Sequence, residues 1–132
     1  MTQELWQLSA TELAARIARR ESTARGVTES VLARIAEANP QVNALASVSA
    51  ESALRAADAA DAAQARGEAL GPLHGVPVTI KVNIDVQGEA TTDGVVAFKD
   101  NIATSDSPLV QSMREAGAII VGRNNAPAFS LR

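Results

Sequence analysis

The chain has 132 residues, 46% of them hydrophobic and 20% charged, with a net charge of -3. That length fits one domain able to bury roughly two-thirds of its unfolded surface, and the composition is that of a globular chain rather than a disordered one. The slight acidity gives no electrostatic case for nucleic acid or an anionic membrane, the lack of cysteine excludes disulfides and thiolate metal sites, and a single histidine excludes a multi-histidine metal site.

The opening stretch MTQELWQLSA has no basic start followed by an apolar run, so no signal peptide is expected. No stretch approaches the roughly 18 apolar residues of a membrane span, and a cytoplasmic protein is the expectation. Ser9, Ala10, Thr11 and Glu12 have the spacing of a capping box, and Leu13 and Ile17 follow on one helical face. Arg16, Arg19, Arg20 and Arg25 read with Glu12, Glu21 and Glu29 as a solvated helix face. A second helix is expected from near Thr28, with Val31, Leu32, Ile35 and Ala36 as its apolar stripe and Asn39-Pro40 as its stop. Val42 to Ala46 reads as a short strand. Glu51 to about Arg66 reads as an alanine-rich helix with Asp58 and Asp61 on its outer side, closed at Gly67.

From Gly71 the character changes to β-branched runs broken by glycine and proline. Gly71 to Gly75 is a loop in which the lone His74 is structural or exposed. Val76 to Asp85 reads as a strand that ends by Gly88. Thr91, Thr92, Asp93 and Gly94 have turn chemistry. Ser107-Pro108 reads as an N-cap with proline at the first helical position. Leu109, Val110 and Met113 give that helix an apolar side, and Gly117 caps it. Ala118 to Val121 is a short apolar run, as in a strand buried on both faces. Strand, helix and strand make a crossover unit. The expected class is therefore α/β, with N-terminal helices packed on a mixed sheet: 1–70 mainly helical, 71–132 strand–loop–helix–strand.

Period-two alternation sorts the strand around VTIKVNID. Val76, Val78, Ile80, Val82 and Ile84 fall on one face, and Thr79, Lys81, Asn83 and Asp85 on the other. Pattern alone makes Lys81 a solvated amine on a polar face, loosely paired with Asp85. Gly122-Arg123-Asn124-Asn125 lacks the pattern of a phosphate-binding loop. Asn83 and Asn125 either orient the backbone around the lysine or cap strand ends.

The run from Gly71 to Asp85, continued through Gly88, Thr91 to Gly94, Ser107-Pro108 and Glu115 to Asn125, resembles the amidase signature family. The resemblance extends over nearly the whole chain and is weak before Ser30. It implies part of that family's α/β/α sandwich, incomplete here, with residues 1–132 as the N-terminal part of one domain. It also implies hydrolysis of amide C–N bonds by a Ser–cis-Ser–Lys triad acting on a small-molecule amide, without metal or cofactor, and it places Lys81 at the triad lysine position. Asn83, Thr91, Thr92, Gly94 and Asn125 match positions near that site. The family's two serines lie downstream of the region matching Asn125, and Ser47, Ser105, Ser107 and Ser130 stand in unrelated contexts. The 132 residues are therefore expected not to hydrolyse amides alone, and to leave sheet edges that a second copy or the remaining part of the domain would cover. Val82 stands where the family usually has aspartate, Asn124 where it has threonine, Val95 where serine is common and Ala128 where glutamate is frequent. Two alternatives share the resemblance: the amidase subunit of a tRNA-dependent amidotransferase, and a non-catalytic fragment serving as a scaffold or interaction domain.

Overall fold

The computed structural model describes residues 4–131. Residues 1–3, part of the stretch in which no signal peptide is expected, and Arg132 lie outside them. Among the described residues the helices are α1 (Ala10–Ala18), α2 (Ala24–Val42), α3 (Ala50–Ala65) and α4 (Pro108–Glu115). The strands are β1 (Leu45–Val48), β2 (Pro77–Lys81) and β3 (Ile119–Asn124). No helix among them is long and apolar enough to cross a membrane.

The expected capping box opens α1. The Ser9 hydroxyl accepts the Glu12 N–H at 3.2 Å, and the Ser9 N–H donates to the Glu12 carboxylate at 2.9 Å. Helix α1 stops at Ala18, so the arginine run is only partly a helix face. Arg20 adopts a left-handed conformation and donates to the Gln64 carbonyl, while Arg19 and Arg25 pair with Glu21 and Glu29.

Helix α2 begins at Ala24, four residues before the expected start, because its cap is tertiary as well as local. Thr23 accepts the Gly26 N–H. The Asp61 carboxylate, reaching across from α3, accepts the N–H groups of Ala24 at 2.7 Å and Arg25 at 3.0 Å. Asp61 is thus no outer solvated residue, although Asp58 is exposed and pairs with Arg25. Pro40 does not stop α2. It lies in the last turn, where its missing N–H forfeits a single hydrogen bond, and the helix runs on to Val42 before Asn43 closes it at φ 50°. The strand is displaced accordingly to Leu45, which the Asn39 side chain holds through both its N–H and its carbonyl, at 2.8 and 3.1 Å.

The sheet order is β1-β3-β2, with β3 antiparallel to β1 and parallel to β2. The sheet is mixed, as expected, and α4 makes the β2-to-β3 crossover. Helices cover both faces. Ile119 and Val121 pack with Ala24, Ala53 and Ala57 of α2 and α3, whose small side chains allow close approach. Ile120 packs on the opposite face with Ile80, Val86 and Val110 of α4. Leu109 does not share that apolar side; it is exposed. Ser107 caps α4 and Gly117 ends it, both as expected. His74 is structural, its ring against the Ala60 carbonyl at 3.0 Å.

Strand β3 carries an extra residue against β2. Val78 pairs with Ile120, Thr79 with Gly122 and Ile80 with Arg123. Gly122 sits at this bulge because β1 presses on it: a Cβ there would lie 2.5 Å from the Ser47 carbonyl oxygen. Strand β2 is also shorter than expected. It ends at Lys81, and Ile84 N–H closes a turn onto the Lys81 carbonyl at 3.0 Å.

Candidate active site

Lys81 is the last residue of β2 and lies in register with Asn124 near the end of β3. It therefore stands at the C-terminal ends of the parallel pair, where open α/β sheets place their ligands. Alternation holds through this point: Ile80 and Val82 are buried, Thr79 and Asn83 are exposed, and Lys81 is half-buried. Among the described residues its ammonium makes no hydrogen bond or ion pair. The loose pairing with Asp85 is not found. Asp85 instead accepts the Thr91 hydroxyl at 2.6 Å.

The loop beyond Lys81 folds back under strict backbone control. Val82 donates to the Asn124 carbonyl at 3.0 Å and its own carbonyl accepts the Asp93 N–H at 3.1 Å. Asn83 donates through its side chain to Ser130 Oγ at 3.0 Å, and Ser130 Oγ donates to Asp93 Oδ1 at 3.2 Å. Thr92 to Val95 is a turn closed at 2.8 Å, with Asp93 and Gly94 both at positive φ. Only glycine fits at 94, since a Cβ there would lie 2.5 Å from the Ala126 carbonyl oxygen. Among the described residues the Thr92 hydroxyl accepts the Gly94 N–H, at 3.4 Å.

The fold thus gathers Lys81, Asn83, Thr91, Thr92 and Gly94 on one loop system. Asn125 hydrogen-bonds outside that loop system, its N–H and side chain going to the carbonyls of Ala44 and Asn43 just before β1, at 2.8 and 3.4 Å, but it lines a hollow together with Thr92 and Gly94. Two hollows meet at Thr92. One, of about 350 Å³, is lined by Ser47, Ser49, Val82, Glu89 and Arg123. The other, of about 260 Å³, is lined by Gly94, Val96, Lys99 and Asn125. Phe98 and Phe129 meet edge to face with centroids 6.0 Å apart.

The residue that sequence reasoning missed is Arg123, 1% exposed. Its guanidinium donates to the carbonyls of Lys81 at 3.3 Å, Ile84 at 2.5 Å, Ala90 at 3.2 Å and Ile80 at 3.4 Å. It also lies 3.5 Å from the Glu89 carboxylate, which accepts the Ser49 hydroxyl at 3.0 Å. A signal was available: an arginine directly continuing a strand that reads as buried on both faces needs internal acceptors.

The Amidase family profile matches residues 26–132. The chain is 45% identical over 128 residues to an indoleacetamide hydrolase of Bradyrhizobium diazoefficiens, covering 97% of this chain and 24% of the relative. It is 43% identical over 128 residues to one subunit of the glutamyl-tRNA(Gln) amidotransferase of Acidothermus cellulolyticus, covering 97% of this chain and 25% of that relative. Among solved structures, the peptide amidase of Stenotrophomonas maltophilia superposes with a TM-score of 0.86 at 30% identity, over 93% of this chain and 26% of that one. The chain spans about a quarter of the length of each of these relatives.

Proposed function

The chain belongs to the Amidase family, and from that premise we propose that Lys81 is the proton-accepting lysine of a Ser–cis-Ser–Lys triad that hydrolyses carboxylic amides. In this reading a neutral Lys81 takes a proton from a bridging serine, which takes one from the nucleophilic serine as it attacks the amide carbonyl. An acyl-enzyme forms as ammonia or an amine leaves with the proton returned from Lys81 through the bridging serine. Water, giving up a proton along the same route, then releases the carboxylic acid and regenerates the serine. The 132 residues supply the lysine of this machinery and its support, as the lysine-bearing part of one amidase-signature domain. The setting is cytoplasmic, the substrate is a small-molecule amide, and a second copy or the rest of the domain covers the sheet edges.

One observation carries the proposal. The backbone of Lys81 is fixed on both sides, by Ile84 and Arg123 on its carbonyl and by Asn124 on the next N–H, while its amine has no partner among the described residues. Lysines accept protons only when neutral, and an ammonium held by a carboxylate would be held charged. Val82, standing where the family usually has aspartate, is consistent with this. It is buried and contributes backbone groups alone.

The test is Lys81→Ala in the product of the complete reading frame, assayed on a simple aromatic or aliphatic amide. Turnover is expected to fall by at least about 100-fold, as for loss of a general base, with the circular dichroism spectrum unchanged. Turnover like that of the wild type would remove Lys81 from the triad. The amidotransferase reading has specific support in the Acidothermus relative; strict dependence on glutamine as amide donor and charged tRNA as acceptor would select it. Absence of turnover with any amide would favour the scaffold reading.

A further inference from the structure

We infer that Arg123 is a positioning residue for Lys81, acting through the carbonyls of the lysine turn; this rests on the triad reading above. The bulge in β3 sets where its side chain goes. Residues paired in register share a face of the sheet, and strict alternation would put Arg123 with Ile119 and Val121, among the alanines of α2 and α3. The extra residue between Ile120 and Arg123 breaks the alternation and brings Arg123 opposite Ile80. Bulges re-aim side chains in this way. The guanidinium is delivered beneath the point where β2 ends.

Four carbonyls converge around that point, and Arg123 donates to all of them: Ile80, Lys81, Ile84 and Ala90. The acceptors flank the lysine turn at both ends: two precede it or open it, one closes it, and one lies on the returning segment that leads to Thr91 and Thr92. Nε serves Ile80, one terminal nitrogen serves Lys81 and Ile84, and the other serves Ala90 and Glu89. A planar fork with five donors spans this set, whereas an ammonium offers three donors from one point and cannot. Glu89 carries the charge balance, and its bond from Ser49 ties the assembly to the start of α3. Arg123 lies among backbone groups that do not react, and it acts on chemistry only by fixing where the Lys81 side chain departs.

The test is Arg123→Lys, which keeps the charge and removes the fork, in the product of the complete reading frame. Displacing a reacting group by about 1 Å costs on the order of 100-fold in rate. We expect kcat to fall by about 10- to 100-fold, with KM changed less than about twofold. Amide hydrogen exchange should quicken at Ile84 and Asp93, whose N–H groups close the lysine turn and its return, and stay unchanged at Leu13 and Ala53 in α1 and α3. An unchanged kcat while Lys81→Ala abolishes turnover would overturn the inference and leave the triad standing. So would exchange that rises equally at Leu13 and Ala53, which marks a role in global stability alone. If the wild type turns over no amide, the triad reading fails by itself and exchange decides the positioning: selective quickening at Ile84 and Asp93 supports it, and no selective change overturns it.

Discussion

Gly117 and Gly67 close α4 and α3 with similar backbone angles, φ 91° and 75°, yet alanine should cost very different amounts at the two sites. A Cβ on Gly67 meets nothing within 4 Å, whereas one on Gly117 lies 2.7 Å from His74 Cα and 3.0 Å from His74 N. Those are backbone atoms. They cannot retreat freely, because Leu73 and Gly75 donate to the carbonyls of Ala116 and Gly117 at 2.8 and 2.9 Å. At each site the left-handed conformation costs an alanine about 1–2 kcal/mol, partly offset by about 0.4–1 kcal/mol from stiffening the unfolded chain. Gly117→Ala adds an overpacking term of about 1–3 kcal/mol. The difference between the two variants isolates that term, since the conformational and unfolded-state parts largely cancel. With a urea m-value of about 1–3 kcal/mol/M for a chain of this size, the Gly117→Ala midpoint should fall about 1 M below that of Gly67→Ala. Urea unfolding followed by circular dichroism measures it. Coincident midpoints would show that loop 71–75 yields without cost and would refute the overpacking at Gly117.

Asp61→Ala should cost about 1–2 kcal/mol, the range for losing a charged helix cap, because it strips two N–H partners from the start of α2; an unchanged urea midpoint would contradict the tertiary cap. Asp106 gives an acid-limb prediction. Burial alone would raise its carboxyl, but the Gln87 N–H and the Arg114 guanidinium outweigh this and hold it below the ordinary carboxylate value. A depressed folded value stabilises above the unfolded value of about 3.9 and is lost as pH falls through the folded one. Asp106→Asn should therefore flatten the fall in stability below about pH 4, read from urea midpoints across a pH series.

Local signals were legible where the partner of each group is near in sequence. The Ser9–Glu12 box, the Ser107 cap and the glycine stops at 67 and 117 all depend on contacts within a few residues, and the sequence pattern names both sides of each. The start of α2 was not legible, because half of its cap is Asp61, 37 positions away. Pro40 misled for the converse reason: a helix breaker in the last turn removes one bond, and only the position of the true end shows how little that matters. At the site, alternation located the buried and open faces through Val82, but the turn at 81–84 and the bulge in β3 depend on how two strands register. One-strand periodicity carries no record of that. Arg123 was hidden by the same bulge.

The two readings of a half-buried lysine make opposite demands on its surroundings. A lysine serving stability needs its ammonium engaged, and its backbone can be that of any strand residue. A lysine serving as a base needs its backbone held and its amine uncommitted. Here β2 stops at Lys81, and the carbonyls around its end accept from an arginine whose burial desolvates a full charge. Asp85, the acidic group nearest in sequence on that face, is occupied by Thr91. A buried ion pair is weak evidence of a stabilising role, since apolar residues of similar volume often serve a fold as well or better, and among the described residues the Lys81 amine has no partner. The burial is intelligible if the orientation of Lys81 is what the arrangement secures, and that is the choice the Arg123→Lys and Lys81→Ala comparison decides.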